Sequence, residues 1–271
     1  MKVETIRLKE KYSPDGSTLR KAQLRMLEML KFIDAVCKEN NIEYWIDYGT
    51  LLGAARHGGF IPWDDDTDIC MTIENLKKFR KVMQTRPSEQ FVLQNHDTDP
   101  GYFRFWDVVR DVNSEYVHIP DAPPEHYLKY RGLQVDIFPF EEHISFFYHR
   151  FCSKFYNAFI KYPLFEYPLY KWIKVLVPLN YSILRYILAP LGKVIGLFIR
   201  DNDCLRMSLG IEFVDKKDKK DIYPLKRISF EGVELNCPFD VDAILAGNYG
   251  DWRVVPDDEH IKTHNAKILF K

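Results

Sequence analysis

The chain carries almost no net charge: 38 Lys and Arg stand against 39 Asp and Glu, a formal net charge of −1 over 271 residues. Without a basic field, and with neither a zinc-finger spacing nor any nucleic-acid motif, it lacks the electrostatic footprint of a nucleic-acid binder, and no nucleic-acid partner is expected. Cysteine is scarce. Cys37, Cys70, Cys152, Cys204 and Cys237 are odd in number, dispersed and never spaced C-x-x-C, which argues against a disulfide framework or a zinc site and leaves reduced, mostly buried thiols. The opening MKVETIRLKEKY alternates charge and lacks the apolar core of a secretory signal, so the chain is expected in the cytoplasm. No internal repeat or low-complexity tract is visible. An uninterrupted apolar run is missing too. Pro178, Asn180, Arg185, Pro190 and Lys193 break the long candidate before it reaches the roughly 18 residues a membrane span needs.

What is there is enough apolar sequence, 46% of residues, for one substantial core, and two independent domains are not required. From Thr18 to Glu39, Leu19, Met26, Leu27, Leu30, Ile33, Val36 and Cys37 recur at helical spacing, with charged residues on the other side. Asn40-Asn41 ends that helix, Ile42 to Tyr48 reads as a strand, and Glu74 to Gln84 as a second amphipathic helix. Phe91 to Gln94, Phe103 to Val109, Glu115 to His118 and Leu133 to Phe138 are further short strands. The class is α/β (α+β), a mixed sheet flanked by helices.

The densest chemistry lies between Trp45 and Met71, which reads WIDYGTLLGAARHGGFIPWDDDTDICM. Asp64, Asp65, Asp66 and Asp68 repel one another unless a cation sits among them. On a strand starting near Asp66, Asp66 and Asp68 point to one face and offer half of a Mg²⁺ site. Because Mg²⁺ takes one or two protein carboxylates and fills its shell with water and substrate phosphates, the expected ligand is a phosphate ester, with Mn²⁺ as an alternative metal. Asp136, alone in the apolar run Leu133 to Pro139, could complete a second metal site or take a proton from an attacking hydroxyl. Gly49 and Thr50 could present a hydroxyl and a backbone N–H to phosphate, and Arg56 and His57 could offset its charge. Asp64 or Asp65 could instead bind backbone amides in the turn after Pro62-Trp63.

This stretch resembles the LicD family, relatives of the fukutin-type phosphotransferases, whose hallmark looks like G-T-L-L-G-A-x-R-H-x-G-F-I-P-W-D-D-D-x-D-I; Gly49 to Ile69 match it almost residue for residue. Thr67 stands where the family usually has an aliphatic residue. Val135 to Pro139 resembles the second acidic motif, and Phe230-Glu231-Gly232, Cys237-Pro238, Tyr249-Gly250-Asp251-Trp252, Pro256 and His264 resemble the carboxyl-terminal block. The resemblance implies a nucleotidyltransferase-like fold and Mg²⁺-dependent transfer of a phospho-substituent, often phosphocholine from CDP-choline, onto a glycan. It assigns Asp66, Asp68 and Asp136 as metal and catalytic carboxylates. Gly49, Thr50, Arg56, His57, Asp64, Arg110 and His264 are the substrate-binding candidates, with Arg104 as the alternative to Arg110 and His264 as an alternative proton acceptor or a structural histidine. The implied partners are a CDP-activated small-molecule donor and a glycan or lipid-linked glycan acceptor.

Composition shifts sharply over 145–200, where eight Lys and Arg accompany a single acid, Glu166, among many Phe, Tyr and Trp. Two readings stand: a surface lying on an anionic membrane, peripheral on its inner face, or a helical subdomain packed on the core with its lysines in water. The chain divides accordingly into a catalytic core over 1–144, a helical, basic, aromatic-rich insertion over 145–205, and a carboxyl-terminal part over 206–271 that completes the core. Three rival functions remain: a nucleotidyltransferase releasing pyrophosphate, a metal-dependent glycosyltransferase, and an inactive membrane- or protein-binding scaffold.

Overall fold

The computed structural model describes residues 2–85, 88–120, 122–199, 203–257, 260–261 and 266–271. Two helices open the chain, α1 (Lys2–Tyr12) and α2 (Thr18–Glu39). Ser17 caps α2 by accepting a hydrogen bond from the Arg20 N–H, and the periodic apolar stripe of α2, including Met26, Met29, Leu30, Ile33 and Val36, is buried. Then come β1 (Trp45–Ile46), α3 (Tyr48–His57), β2 (Asp68–Thr72), α4 (Ile73–Thr85), β3 (Phe91–Gln94), β4 (Asp107–Asp111), β5 (Ser114–His118) and β6 (Gln134–Glu141).

The glycine-bearing segment after β1 is thus a helix, an element not expected there from the sequence. Asp47 caps it through the Tyr48 N–H, and Gly58, with a φ of 69°, closes it in the left-handed conformation. The first strand is correspondingly cut from Ile42–Tyr48 to Trp45–Ile46, since Tyr48 already belongs to the helix. The predicted strand Phe103 to Val109 shifts to Asp107–Asp111 because Tyr102 and Phe103 are buried in a loop, where the Tyr102 hydroxyl donates to the Trp106 carbonyl.

Among the described residues, seven strands form one mixed sheet with a central path β1-β2-β6-β4-β3. β2 and β6 are parallel, with Asp68 opposite Asp136, and β6 and β4 are antiparallel, with Val108 opposite Asp136. Beyond β4, the later half of β6 pairs with β7 (Cys204–Met207), which pairs with β8 (Lys216–Asp218). The remaining elements are α9 (Lys219–Ile222), the hairpin β9 (Lys226–Phe230) and β10 (Val233–Cys237), α10 (Val241–Tyr249), and β11 (Ala266–Phe270), which pairs with β5. The hairpin turn is tied to the end of α3. Glu231 accepts from the Phe60 N–H, forms ion pairs with Lys9 and Arg20, and donates its own N–H to the Gly58 carbonyl.

Between β6 and β7 the chain is helical: α5 (Phe146–Tyr156), a wide turn over Asn157–Lys161, α6 (Tyr162–Phe165), α7 (Ile173–Ile183), a second wide turn over Leu184–Leu188, and α8 (Ala189–Gly196). The interrupting residues do not end the helix. Leu169–Gly196 is helical over 28 residues, long and apolar enough by length and composition to cross a membrane, which corrects the expectation that Pro178 to Lys193 would break it. Buried positions 184, 188, 192 and 196 recur every fourth residue, a longer repeat than the roughly 3.6 residues per turn of an ideal helix, and the wide turn at 184–188 helps to keep them on one side. Near Pro178, the Asn180 side chain donates to the Leu176 carbonyl. All five cysteines are buried.

Candidate active site

The acids gather where β2 and β6 lie side by side. Paired residues on adjacent parallel strands project to the same face, so Asp68 and Asp136 share one side of the sheet. The start of α3 passes above them: a Cβ placed on Gly49 would lie 2.9 Å from Asp64 Oδ2 and 4.0 Å from both Asp66 Oδ1 and Asp68 Oδ2. Glycine there leaves room for three carboxylates from one loop to face a helix start, where backbone N–H groups and the macrodipole favour negative charge.

The electrostatics follow. Burial pushes the Asp68 carboxyl well above its ordinary range, reinforced by repulsion from Asp66, Asp136, Asp64 and Asp47. Burial also raises Asp136, against the pull of Arg104 and Arg110 and with Asp66 adding repulsion. Asp136 Oδ2 accepts from the Gln134 side chain, while its other oxygen, Oδ1, is buried outside good hydrogen-bond geometry, with the Trp106 side chain near enough to lower the carboxyl's pKa. Such a poorly satisfied carboxylate oxygen costs stability unless a cation or donor meets it.

Thr50 and Asp64 lie at this site, with Thr50 in a role different from the one expected. Its hydroxyl accepts from the Asp68 N–H at 2.8 Å and so ties α3 to β2 instead of facing outward. Asp65 is held by the Tyr116 hydroxyl at 2.8 Å. Arg56 and His57 are not brought to the acids. They sit in the last turn of α3, where Arg56 donates to His57 Nε2 and to the carbonyls of Trp252 and Val254, and His57 Nδ1 meets the Thr5 hydroxyl. Burial, with Arg56 and Lys9 nearby, lowers the His57 pKa to about 4, so it is neutral at pH 7 and has no charge to offer a phosphate.

Arg110 is likewise spent inside the fold, donating to Gln94 Oε1 and the Gly132 carbonyl, and burial beside Arg104 lowers its pKa to about 10. Arg104, the alternative to Arg110, reaches a cavity instead. It bridges Gln134 and Glu125 and lines a cavity of about 320 Å³ with Phe103, Trp106, Glu125, Tyr156 and Phe165. His264 lies outside the described residues.

Asp47, Tyr48 and Lys217 carry no role in the motifs above, whereas Tyr249 belongs to the carboxyl-terminal block. Asp47 is fully buried; Lys217 pairs with it at 3.1 Å and with Asp215 at 3.0 Å, while Trp45 and Asn248 also donate to it. The Tyr48 hydroxyl donates to Asp215, and its φ of 46° places a non-glycine residue in the left-handed region at the first turn of α3. Tyr249, at the end of α10, has its hydroxyl pKa raised by burial and by Asp68, Asp47, Asp64 and Asp66, which brings the carboxyl-terminal Tyr-Gly-Asp-Trp motif to the acids. Asp47 beside Tyr48-Gly49 was the available signal, since an aspartate before a glycine-bearing segment is a helix cap.

Three carboxylates facing a glycine, and a fourth with a poorly satisfied oxygen, suit a hard cation that keeps much of its water. Among the described residues no group of three or more His, Cys, Asp or Glu side chains is arranged to hold a metal ion by itself. An open arrangement is what Mg²⁺ uses when substrate phosphates complete its shell.

Over 77 residues the chain is 40% identical to the lipopolysaccharide cholinephosphotransferase LicD of Haemophilus influenzae, covering 28% of this chain and 29% of that protein. It is 51% identical over 63 residues to an uncharacterized protein of Rickettsia prowazekii, 23% of this chain and 24% of the other. With the human ribitol 5-phosphate transferase FKRP it shares 41% identity over 49 residues, 18% of this chain and 10% of that protein. The matched segments thus span less than a third of each of these relatives. A family model described as LicD/FKTN/FKRP, nucleotidyltransferase domain, matches residues 41–179, which hold β1, α3, β2 and β6 with Asp47, Asp64, Asp65, Asp66, Asp68 and Asp136. The chain belongs to the LicD/FKTN/FKRP nucleotidyltransferase-domain family.

Proposed function

We propose that this chain transfers a phospho-substituent, such as phosphocholine, from a CDP-activated donor to a hydroxyl of a glycan or its lipid-linked precursor, releasing CMP. The observation that carries this reading is the register of β2 and β6, which sets Asp136 beside Asp68 on the face where Asp64 and Asp66 meet Gly49. Family membership and the partial likeness to two transferases of phosphate-bearing groups support it.

Asp66, Asp68 and Asp136 are the carboxylates that would hold Mg²⁺, or Mn²⁺, which when bound neutralises charge on the donor diphosphate. The start of α3 at Gly49 presents backbone N–H groups to phosphate oxygens. Arg104, in the cavity wall and linked through Gln134 to Asp136, faces the transferred group. As the acceptor oxygen bonds to phosphorus and the bond to the CMP oxygen breaks, Asp136 takes the acceptor proton.

The test is incubation with CDP-choline, CDP-ribitol, CDP-glycerol and nucleoside triphosphates, with Mg²⁺ and separate assays for CMP and pyrophosphate. CMP release from a CDP-alcohol, abolished in Asp66→Asn and Asp68→Asn, is the expected result. Pyrophosphate release without CMP would replace this reading with nucleotidyl transfer.

A further inference from the structure

We infer that the helical unit of residues 145–199 is a membrane-docking surface that lies on an anionic bilayer without crossing it. Each of its main helices buries one stripe and leaves the other in solvent. In the 28-residue helix, Ile173, Val177, Leu184 and Leu188 are buried, whereas Trp172, Val175, Leu179, Tyr186, Ile187, Leu191 and Val194 are exposed. In α5, Cys152 and Tyr156 are buried and Phe147 and Phe151 are exposed.

The two helices adjoin. Cys152, Leu184 and Leu188 form one small core, the Tyr148 hydroxyl donates to the Leu188 carbonyl, and Gly192 lets α8 approach the Tyr148 ring. Phe147, Leu197 and Phe198 are more than four-fifths exposed, which for side chains of this size is costly in water. Soluble monomers rarely expose contiguous apolar surface beyond about a few hundred Å².

Charge selects the occupant. Arg150, Lys154, Lys161, Lys171, Lys174, Arg185 and Lys193 are all exposed on this unit and Glu166 is its single acid, although Lys161 pairs with Glu212 and Arg185 with Asp97 of the core. Exposed aromatics interleaved with lysines and arginines match an anionic lipid interface, where the rings enter the headgroup boundary and the cations meet lipid phosphates. A second copy of the same face would set these cations against each other. Crossing the bilayer would carry Arg185 and Lys193 into hydrocarbon, at high cost. Tyr156, Lys161 and Phe165 of this unit also line the cavity holding Arg104, so docking would hold that cavity at the lipid surface. The inference does not depend on which reaction occurs there.

The test is flotation of the full chain with phosphatidylcholine vesicles, with and without about one-third phosphatidylserine, at low and high salt. Co-flotation with the anionic vesicles alone, reversed by salt and reduced roughly tenfold or more in Lys171→Glu/Lys174→Glu, is expected. Trp172→Ala should weaken it as well, with circular dichroism confirming that both variants fold. Failure to float, equal flotation of the charge-reversed variant, or retention in both high salt and alkaline carbonate would overturn the inference, the last by showing an integral span. Vesicle-independent dimerisation lost in Trp172→Ala would overturn it in favour of a second copy.

Discussion

At the scale of single residues, the site is built at the expense of stability, and two substitutions should act in opposite directions. Asp68 is buried among like charges, so Asp68→Asn removes repulsion that the metal-free fold must absorb. The expected outcome is a higher melting temperature in chelator together with lost turnover, with about 2–4 °C gained per kcal/mol relieved. Lys217 is the reverse case. It neutralises Asp47, which caps α3 with no exposure to water, so Lys217→Met strands a buried carboxylate and should cost about 3–5 kcal/mol in urea unfolding. An unchanged midpoint would show that Trp45 and Asn248 satisfy Asp47 alone. The two arginines separate in the same way: Arg104→Ala should lower turnover in a fold of near-normal stability, and Arg110→Met should destabilise, since its guanidinium serves Gln94 and Gly132. Kinetics beside melting curves for both variants checks the assignment.

At the scale of elements, α3 is the hinge of the account because its start faces the acids and its end is locked by the carboxyl-terminal hairpin. Gly53 shows how closely it packs: a Cβ there would lie 2.4 Å from the Gly59 carbonyl oxygen. Gly53→Ala should therefore cost about 1–3 kcal/mol, measurable by chemical denaturation. Much of this region was legible in the sequence. The stripe of α2, the pairing of two Asp-bearing strands and the buried thiols follow from periodicity and composition. α3 itself was not, because its glycines read as a turn until tertiary contacts close around them. Arg56 and His57 looked like phosphate ligands by charge alone, and only the fold shows them directed at Thr5, Trp252 and Val254. Pro178, Asn180, Arg185, Pro190 and Lys193 were read as cutting the apolar run short, whereas the helix continues through them, with a wide turn at Leu184–Leu188 that leaves no mark in the sequence. Lys217 is distant in sequence from the acids and no local pattern names it, while Tyr249 stood in the carboxyl-terminal motif with no role attached.

At the scale of the whole molecule, the amino-terminal helices, α3 and the late hairpin are joined by groups that respond to pH. Burial would raise the Glu231 carboxyl, but its hydrogen bonds with Arg20 and Lys9 outweigh that and lower it below its ordinary 4.5. Its contribution is therefore full above about 4.5 and is lost as pH falls through the lowered folded value. His57, lowered from 6.5 to about 4 by burial, acts with the same sign: the unfolded chain takes up a proton below 6.5 that the folded chain refuses until about 4. Stability from these two groups should decline from pH 6.5 towards 4 and below, and Glu231→Gln should flatten the part of the curve below 4.5. Parallel curves for wild type and variant would contradict this. The central claim, that acids from two strands far apart in sequence form one cation-phosphate centre, is tested most directly by Mn²⁺ titration with CDP present, read by electron paramagnetic resonance. The account expects wild type to take up Mn²⁺ in competition with Mg²⁺, and Asp68→Asn and Asp136→Asn, each folded by circular dichroism, to lose that uptake. Uptake by Asp136→Asn equal to that of wild type would place Asp136 outside the centre and contradict the account.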